Sequence, residues 1–229
     1  MQNIVESSLL HEDRSKGKRT KAALIAAAIT RFSRDGYQRT SVADVARDIG
    51  MTAGAPYRYF ADKEALFLAA VDADSAEMTN MVRKLVFGDV GGSVSAVLGR
   101  LTDQLSLALD NHPLAARVLS GAEPMGPERL HALPTQASLR VELAGLIKFG
   151  QEAGLVNADI DADVLALGIE TAVLYQLAHI ASLRGSGSGP DRERWAALAA
   201  IVEAALQPRQ PVPAEPTTPP ASTPSGGQS

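Results

Sequence analysis

Three consecutive residues, Tyr57, Arg58 and Tyr59, bring two phenol hydroxyls and a guanidinium together, and Lys63 follows shortly after them. Hydroxyl and cationic side chains donate hydrogen bonds to phosphate oxygens and base edges, and an arginine can bind guanine through two hydrogen bonds at once. Both tyrosines could instead fill a core, as we expect of the neighbouring Phe60. The chemistry that this set favours is the binding of a nucleic acid.

The element before these residues has the pattern of a short amphipathic helix. Apolar residues recur at helical spacing over residues 42–49, and Thr40 or Ser41 can cap the first turn through its hydroxyl. Gly50 stands where a helix commonly ends through a left-handed residue. We therefore predict a helix over residues 41–49, followed by a tight turn.

A second short helix, opened by Thr52, is predicted to carry the donor residues, and Asp62 opens a third helix. Ala53, Gly54 and Ala55 are small, so the backbone of the first turn can approach a groove closely. Gly54 and Pro56 lower the helix propensity, so this helix should depend on packing against the rest of the domain. A helix, a tight turn and a helix form a helix-turn-helix, whose second helix enters the DNA major groove. The predicted DNA-binding residues are Lys18, Thr40, Ser41, Thr52, Ala53, Gly54, Ala55, Tyr57, Arg58, Tyr59 and Lys63.

Residues 14–71 resemble the DNA-binding domain of the tetracycline-repressor (TetR) family. The resemblance implies an all-α fold, in which an N-terminal three-helix helix-turn-helix domain precedes a larger helical ligand-binding and dimerisation domain. The matching residues are Ile25, Ala28, Phe32, Gly36, Tyr37, Thr40, Ser41, Val42, Val45, Ala46, Gly50, Gly54, Tyr57, Tyr59, Phe60, Lys63, Glu64 and Leu66.

Charge is distributed unevenly along the 229 residues. Residues 1–63 hold 11 Lys and Arg against 7 Asp and Glu, and the rest of the chain holds 11 against 19, so a basic head of +4 precedes an acidic body of −8. A basic end suits a chain that presents one domain to a polyanion. Lys18 belongs to a basic run that can neutralise phosphates, although an ordinary solvated helix start explains the run equally well.

We predict four segments: a flexible arm at 1–13, the DNA-binding domain at 14–63, the helical effector and dimerisation domain at 64–206, and a disordered tail at 207–229. The tail is rich in Pro, Thr, Ser and Gly and cannot bury a core. Residues 185–189, GSGSG, lack the continuation of a phosphate-binding loop, which indicates a flexible connection. The helix predicted over residues 164–183 is apolar almost all round, but Glu170 within it argues against a membrane span.

Family resemblance implies that a small molecule enters the larger domain, moves the helix that begins at Lys63 and weakens DNA binding, and that two helices from each subunit form the dimer interface. Aromatic residues are 4% of the chain, which favours an aliphatic or hydrophobic effector. The predicted ligand-binding residues are Met78, Met81, Leu105, Phe149, Leu174, Tyr175 and His179. The predicted interface residues are Leu167, Leu174, Trp195, Leu198 and Val202.

Catalytic and metal-binding patterns are missing from the sequence. Cysteine is absent, the four histidines are scattered, and Asp159, Asp161 and Asp163 lack the glycine and distal glutamate of a calcium loop. We therefore predict no enzyme activity, cofactor or metal, and a cytoplasmic homodimer that binds an operator in double-stranded DNA without contact to a membrane. Two alternatives stay open: a regulator without an effector that a protein partner controls, and a helical enzyme or interaction protein that has lost DNA binding.

Overall fold

The computed structural model describes residues 2–88, 93–183 and 192–208, with side chains from residue 15 onward. Within these ranges the chain is helical and contains no strand, which confirms the all-α fold. A 3₁₀ turn, Ala55–Arg58, lies between α2 and α3. The helices are α1 (Gln2–Arg39), α2 (Val42–Asp48), α3 (Lys63–Phe87), α4 (Val94–Asn111), α5 (Pro113–Leu119), α6 (Pro127–His131), α7 (Pro134–Glu152), α8 (Ala162–Ser182) and α9 (Arg192–Leu206).

Helix α1 is longer than the sequence predicted. The structure continues the helix to Gln2, through residues 2–13 of the segment predicted as a flexible arm. Near its other end Gly36 has φ 80° and ψ 166°, which interrupts the helical geometry. The last turn, up to Arg39, follows this kink.

The N-terminal domain is built on the apolar stripe of α1. Leu24, Ala28 and Phe32 are fully buried there. They pack with Val42 and Val45 of α2, with Phe60, and with Leu66, Phe67, Ala70 and Val71 of α3. Since α3 contributes one wall of this core, the first nine residues of α3 belong structurally to the N-terminal domain.

Most helix boundaries in the larger domain follow from local capping. Ser93 Oγ accepts a hydrogen bond from Ala96 N at the start of α4, and Asp161 Oδ1 accepts from Asp163 N and Val164 N at the start of α8. Gly154 has φ 70° just after α7. The sequence predicted the bounds of α8 to within two residues, because the Asp161 cap lies next to the helix that it begins.

Helix α8 is, by length and composition, the one helix in the described ranges that could cross a membrane, with a mean hydropathy of 1.5 over its most apolar window. Only 28% of that window is buried in the protomer. The predicted connection at 185–189 and almost all of the predicted tail lie outside the described residues.

Candidate nucleic-acid interface and ligand cavity

Helix α2 is fixed at its start by a capping box. Asp44 N donates to Ser41 Oγ at 3.1 Å, and Ser41 N donates to Asp44 Oδ2 at 3.3 Å. The Ser41 hydroxyl also donates to Asp44, and together with Arg47 it lowers the pKa of that carboxyl. Thr40, also predicted to contact DNA, is only 2% exposed and donates its hydroxyl to Gly36 O. Ser41 therefore remains a candidate contact, while the Thr40 hydroxyl is already occupied inside the domain.

A two-pronged ion pair holds α2 against α1. Arg31 Nε and Nη2 each donate to one Asp48 carboxylate oxygen at 2.6 Å. These hydrogen bonds from Arg31 lower the pKa of Asp48 below its ordinary value. Because the planar guanidinium fixes two bonds at once, the pair sets the orientation of α2 as well as its distance from α1.

Tyr57 and Arg58 lie on a single 3₁₀ turn, with Tyr59 directly after it, which corrects the prediction of a second short helix. Pro56 is buried and provides no backbone N–H, and Gly54 favours helix poorly, so the segment forms one turn and then runs into α3. The Tyr57 side chain is 56% exposed and Arg58 is exposed. Phe60 is 6% exposed in the core, as predicted.

Not all of the predicted DNA contacts are equally accessible. Lys18, Thr52, Ala53 and Gly54 are exposed. Ala55, Tyr59 and Lys63 are half-buried. Arg58 has no ionic or hydrogen-bonding partner among the described residues, so its charge is available to a ligand.

Lys63 lies at the first position of α3. Its Nζ is 4.2 Å from the centre of the Tyr37 ring and 3.5 Å from Gln38 O. The helix behind it is 25 residues long and is capped by Asp62, which accepts from Ala65 N at 2.7 Å. The stacking on Tyr37 holds the ammonium beside the start of the helix, where backbone N–H groups also favour an anion.

The larger domain encloses an apolar cavity of about 300 Å³, at the lower end of the roughly 300–1,000 Å³ range of ligand pockets. Its wall is formed by parts of α3 to α9 and is mostly aliphatic. Lining residues include Val71, Met78, Val82, Leu101, Leu105, Ala115, Leu130, Leu133, Ile147, Val173, Leu174 and Leu177. The segment between α5 and α7 supplies two residues of this wall, Leu130 and Leu133.

Three of the seven predicted ligand-binding residues line this cavity: Met78, Leu105 and Leu174. Met81 and His179 are half-buried and lie outside its wall. Phe149 and Tyr175 are 69% and 66% exposed on the outer faces of α7 and α8. The sequence identified the right helices but not which face of each helix points inward.

The predicted dimer residues on α9 require a correction. Trp195, Leu198 and Val202 are 4%, 8% and 8% exposed, because α9 packs this stripe against α4 inside the same protomer. Leu174 lines the cavity, and among the five predicted residues Leu167 alone is exposed, at 45%.

Helices α8 and α9 both leave apolar side chains exposed. On α8 these are Val164, Leu167 and Tyr175, which are 60%, 45% and 66% exposed. On α9, Ile201 is 68% exposed. We call these four residues the open face. Its residues on α8 follow helical spacing, so they form one stripe along that helix.

Helix α3 connects the two domains through one buried and one half-buried carboxylate. Asp74, whose side chain is 6% exposed, accepts a hydrogen bond from Ala115 N at 2.8 Å at the start of α5 and lies 3.5 Å from His112 Nδ1. Asp72 accepts from Thr135 N at 3.0 Å at the start of α7. Two helices of the cavity wall are thus attached at their first turns to the helix that begins at Lys63.

A second connection joins the end of α1 to the segment after α5. Glu123, with a side chain only 2% exposed, accepts from Tyr37 N at 2.8 Å and from Arg117 Nε at 2.7 Å. Gly36 makes room for this contact, since a Cβ there would lie 3.1 Å from Arg117 Nη2 and 3.2 Å from Glu123 Oε1. We call Gly36, Tyr37, Arg117 and Glu123 the domain latch.

Comparison with known proteins gives matches to both parts of the chain. The family model described as bacterial regulatory proteins, tetR family, matches residues 24–70. The chain is 28% identical over 162 residues to the HTH-type transcriptional repressor AcnR of Corynebacterium efficiens, covering 67% of this chain and 79% of that protein. It is 26% identical over 175 residues to the HTH-type transcriptional repressor Rv1474c of Mycobacterium tuberculosis, covering 75% and 84%.

The fold also resembles solved structures. Thermus thermophilus FadR, described as a TetR-family transcriptional repressor in complex with lauroyl-CoA, aligns with a TM-score of 0.59 at 19% identity. The alignment covers 86% of this chain and 99% of that one. At this identity the likeness concerns the fold, which extends from the N-terminal domain through the larger helical domain.

Proposed function

We propose that this chain is a TetR-family DNA-binding repressor that works as a homodimer on a roughly palindromic operator and is released by a small hydrophobic ligand. The observation that carries the proposal is the course of α3. This helix begins at Lys63 in the N-terminal domain and continues as part of the cavity wall. A ligand in the cavity therefore touches the same rigid element that positions the DNA-binding residues.

The path from cavity to DNA is short. Val71, which lines the cavity, stands eight residues from Lys63, or about 12 Å along a helix that rises 1.5 Å per residue. Between them, the Glu64 carboxylate is paired with Arg129 of α6, next to the lining residue Leu130. A ligand shifts the equilibrium between two positions of α3 to the extent that it prefers one of them. Ligand binding weakens DNA binding when DNA prefers the other position.

On the operator, we assign Tyr57 and Arg58 to the bases or backbone of the major groove and Lys63 to a phosphate. Exposure of the first two side chains supports this assignment, as does the lack of an intramolecular partner for Arg58 among the described residues. Ser41, Thr52 and the small residues 53–55 lie beside them and complete the proposed surface, with Lys18 as a further backbone contact.

We assign dimerisation to the open face of α8 and α9. An exposed apolar stripe of this kind usually marks an interaction surface. A second copy of this chain is the best partner for the open face, because a two-fold axis places the same stripe on both protomers and brings their two DNA-binding domains together as a pair. Heads that meet successive major grooves on one side of the duplex lie about 34–36 Å apart. Such a regulator acts in the cytoplasm, where its DNA target lies.

An effector-free regulator controlled by a protein partner is the competing function. The cavity argues against it, because a domain that served only for dimerisation would gain stability by filling a void of this kind. The aliphatic wall supports a hydrophobic ligand. A fold neighbour, T. thermophilus FadR, holds lauroyl-CoA, which also carries an aliphatic chain.

The test begins with selection of bound sequences from a random DNA library, followed by affinity measurements on the selected operator. We expect a palindromic site and a loss of about 1–3 kcal/mol in binding free energy for Arg58→Ala, if the guanidinium makes a bidentate base contact. Lys148→Ala removes an equally exposed cation from α7 and serves as the control. Equal affinities of the two variants, or selection of no common sequence, would refute the proposed reading surface.

A further inference from the structure

Five polar residues interrupt the aliphatic wall of the cavity: Ser75, Thr79, Gln136, Arg140 and Glu170. Three of them, Ser75, Thr79 and Gln136, already have hydrogen-bond partners within the protein, and the Ser75 hydroxyl donates to Asp72 O at 3.2 Å. Gln136 Nε2 donates to Thr79 Oγ1 at 3.1 Å, and the Thr79 hydroxyl donates to Ser75 O at 3.1 Å. These groups need no ligand, which leaves Arg140 and Glu170 as the polar part of the wall with unused hydrogen-bonding capacity.

Arg140 and Glu170 form an ion pair that uses only part of each group. Arg140 Nη1 donates to Glu170 Oε2 at 2.7 Å and to His131 O at 3.1 Å. The Glu170 side chain is 7% exposed, and its second oxygen, Oε1, is buried and accepts no hydrogen bond in the described part of the chain. His131 Nδ1 lies 3.4 Å from Oε2, beyond a well-formed bond, and is likewise without a partner there.

A buried carboxylate oxygen without a donor is rare, and such an exception asks for an explanation. Arg140 offers complementary donors, because the structure describes no acceptor for its Nη2 and Nε groups. Unused donors thus stand beside the unpaired carboxylate oxygen, and His131 Nδ1 is a further polar atom there without a hydrogen bond. A small polar group that both donates and accepts would complete the pair.

We propose that the Arg140–Glu170 pair binds the head group of the effector and that this head group is a neutral hydroxyl on an aliphatic body. The hydroxyl donates to Glu170 Oε1 and accepts from the Arg140 guanidinium. A charged head group is disfavoured because the two side chains already neutralise each other, and a third charge in an apolar cavity would lack a counterion. This inference rests on the proposed function, since it names the ligand class of the same cavity.

The body of the ligand is assigned from the rest of the wall. The residues that line the cavity in the described part of the chain include no Phe, Tyr or Trp. Aromatic ligands gain stacking energy from aromatic side chains, and a wall of Val, Leu and Ile offers none. A linear or branched aliphatic chain fits this wall without losing such contacts.

The experiment uses the full chain without DNA and isothermal titration with four matched eight-carbon probes: 1-octanol, its isomer heptyl methyl ether, octanoate and octylamine. The ether has the same size as the alcohol and an oxygen acceptor but no donor. We expect 1-octanol to bind at least about tenfold more tightly than each of the others, the loss corresponding to one hydrogen bond to a charged group. Equal binding of alcohol and ether, or a preference for either charged probe, would overturn the proposal.

A charge change at the pair supplies a second readout. Glu170→Gln leaves the Arg140 charge without its carboxylate, so we expect the preference to move from 1-octanol to octanoate. Glu142→Gln is the control, because Glu142 pairs with Arg83 between α7 and α3 and neither residue lines the cavity. An unchanged order of affinities in Glu170→Gln would contradict the assignment of the head group. Should that variant fail to fold, the comparison of 1-octanol with the ether on the unaltered chain tests the assignment.

Operator release is measured separately, by titrating 1-octanol into the protein–DNA complex. Selective binding of the alcohol without loss of operator affinity would refute release by a ligand and leave the head-group assignment intact. Release by all four probes alike would refute the head-group assignment and leave the proposed function intact.

Discussion

The domain latch gives the sharpest test of how the two domains are held together. Glu123→Ala removes the acceptor of Tyr37 N–H and the partner of Arg117 in one step. A buried donor without an acceptor costs about 1–3 kcal/mol. The Arg117 side chain is 35% exposed, so its lost pairing adds only about 1 kcal/mol.

Together these terms predict a loss of about 3 kcal/mol in the free energy of unfolding. For a chain of this size the midpoint of thermal unfolding should fall by roughly 6–12 °C. The assay is thermal unfolding followed by circular dichroism, with Glu128→Ala as the control. Glu128 is an exposed glutamate in the neighbouring helix α6, and its removal should shift the midpoint by no more than about 2 °C.

A double-mutant cycle separates the contact from other effects of the substitution. Once Glu123 is removed, Arg117→Ala should cost little more, because the two side chains act as one unit. Equal midpoints for Glu123→Ala and Glu128→Ala, or additive losses in the cycle, would refute the reasoning that Glu123 joins the domains.

Three further predictions concern acid stability, helix capping and assembly. Asp48 has a lowered pKa in the folded state, so its ion pair stabilises the fold fully above the ordinary Asp pKa of about 3.9 and loses this effect as the pH falls through the folded value. The difference in the free energy of unfolding between the unaltered chain and Asp48→Asn, measured by urea unfolding, should therefore shrink below about pH 3.9. A constant difference down to strong acid would contradict this expectation. Ser41→Ala removes the acceptor in the α2 cap and should cost about 1 kcal/mol in the free energy of unfolding, whereas no measurable loss would mean that the cap is dispensable. Tyr175→Lys places a charge in the open face and should yield monomers in sedimentation, while Leu107→Lys, on α4, should leave the dimer intact; monomers in both cases, or in neither, would refute the assigned interface.

The sequence predicted features that depend on neighbouring residues. The caps at Ser41, Asp62 and Ser93 lie within one turn of the helices that they start, so their effect can be inferred from a few positions. The resemblance to a known DNA-binding domain likewise rests on a continuous stretch, and the matched residues 24–70 confirm it.

Features that depend on distant contacts were not predictable. Glu123 binds Tyr37 N across 86 positions, and nothing near either residue in the sequence indicates that contact. Helix α9 carries apolar side chains on two faces, so its pattern does not tell whether Trp195 or Ile201 faces the protomer core. The geometry of α4 decides this, since it accepts the tryptophan stripe and leaves Ile201 outside.

The prediction of a second short helix at residues 55–58 was wrong, partly because of the residues in that segment and partly because of how the segment packs. Pro56 and Gly54 were recognised as poor helix formers, but the buried position of Pro56 fixes the segment as one 3₁₀ turn of four residues. A pattern of apolar residues reports on burial, not on whether a short segment has i+3 or i+4 hydrogen bonds.

Because that turn is short, it limits the number of base pairs that one protomer can contact and therefore its selectivity for an operator. A turn that exposes chiefly Tyr57 and Arg58 inspects few base pairs, and one bidentate contact of about 3 kcal/mol separates right from wrong sequences by about 150-fold. A genome offers roughly 10⁶–10⁹ competing sites, so a selectivity of about 150-fold is too small for one DNA-binding domain to distinguish its operator from them. In the proposed homodimer the selectivities of the two DNA-binding domains multiply, so we expect DNA with the correct half-site sequences at a changed separation to bind weakly.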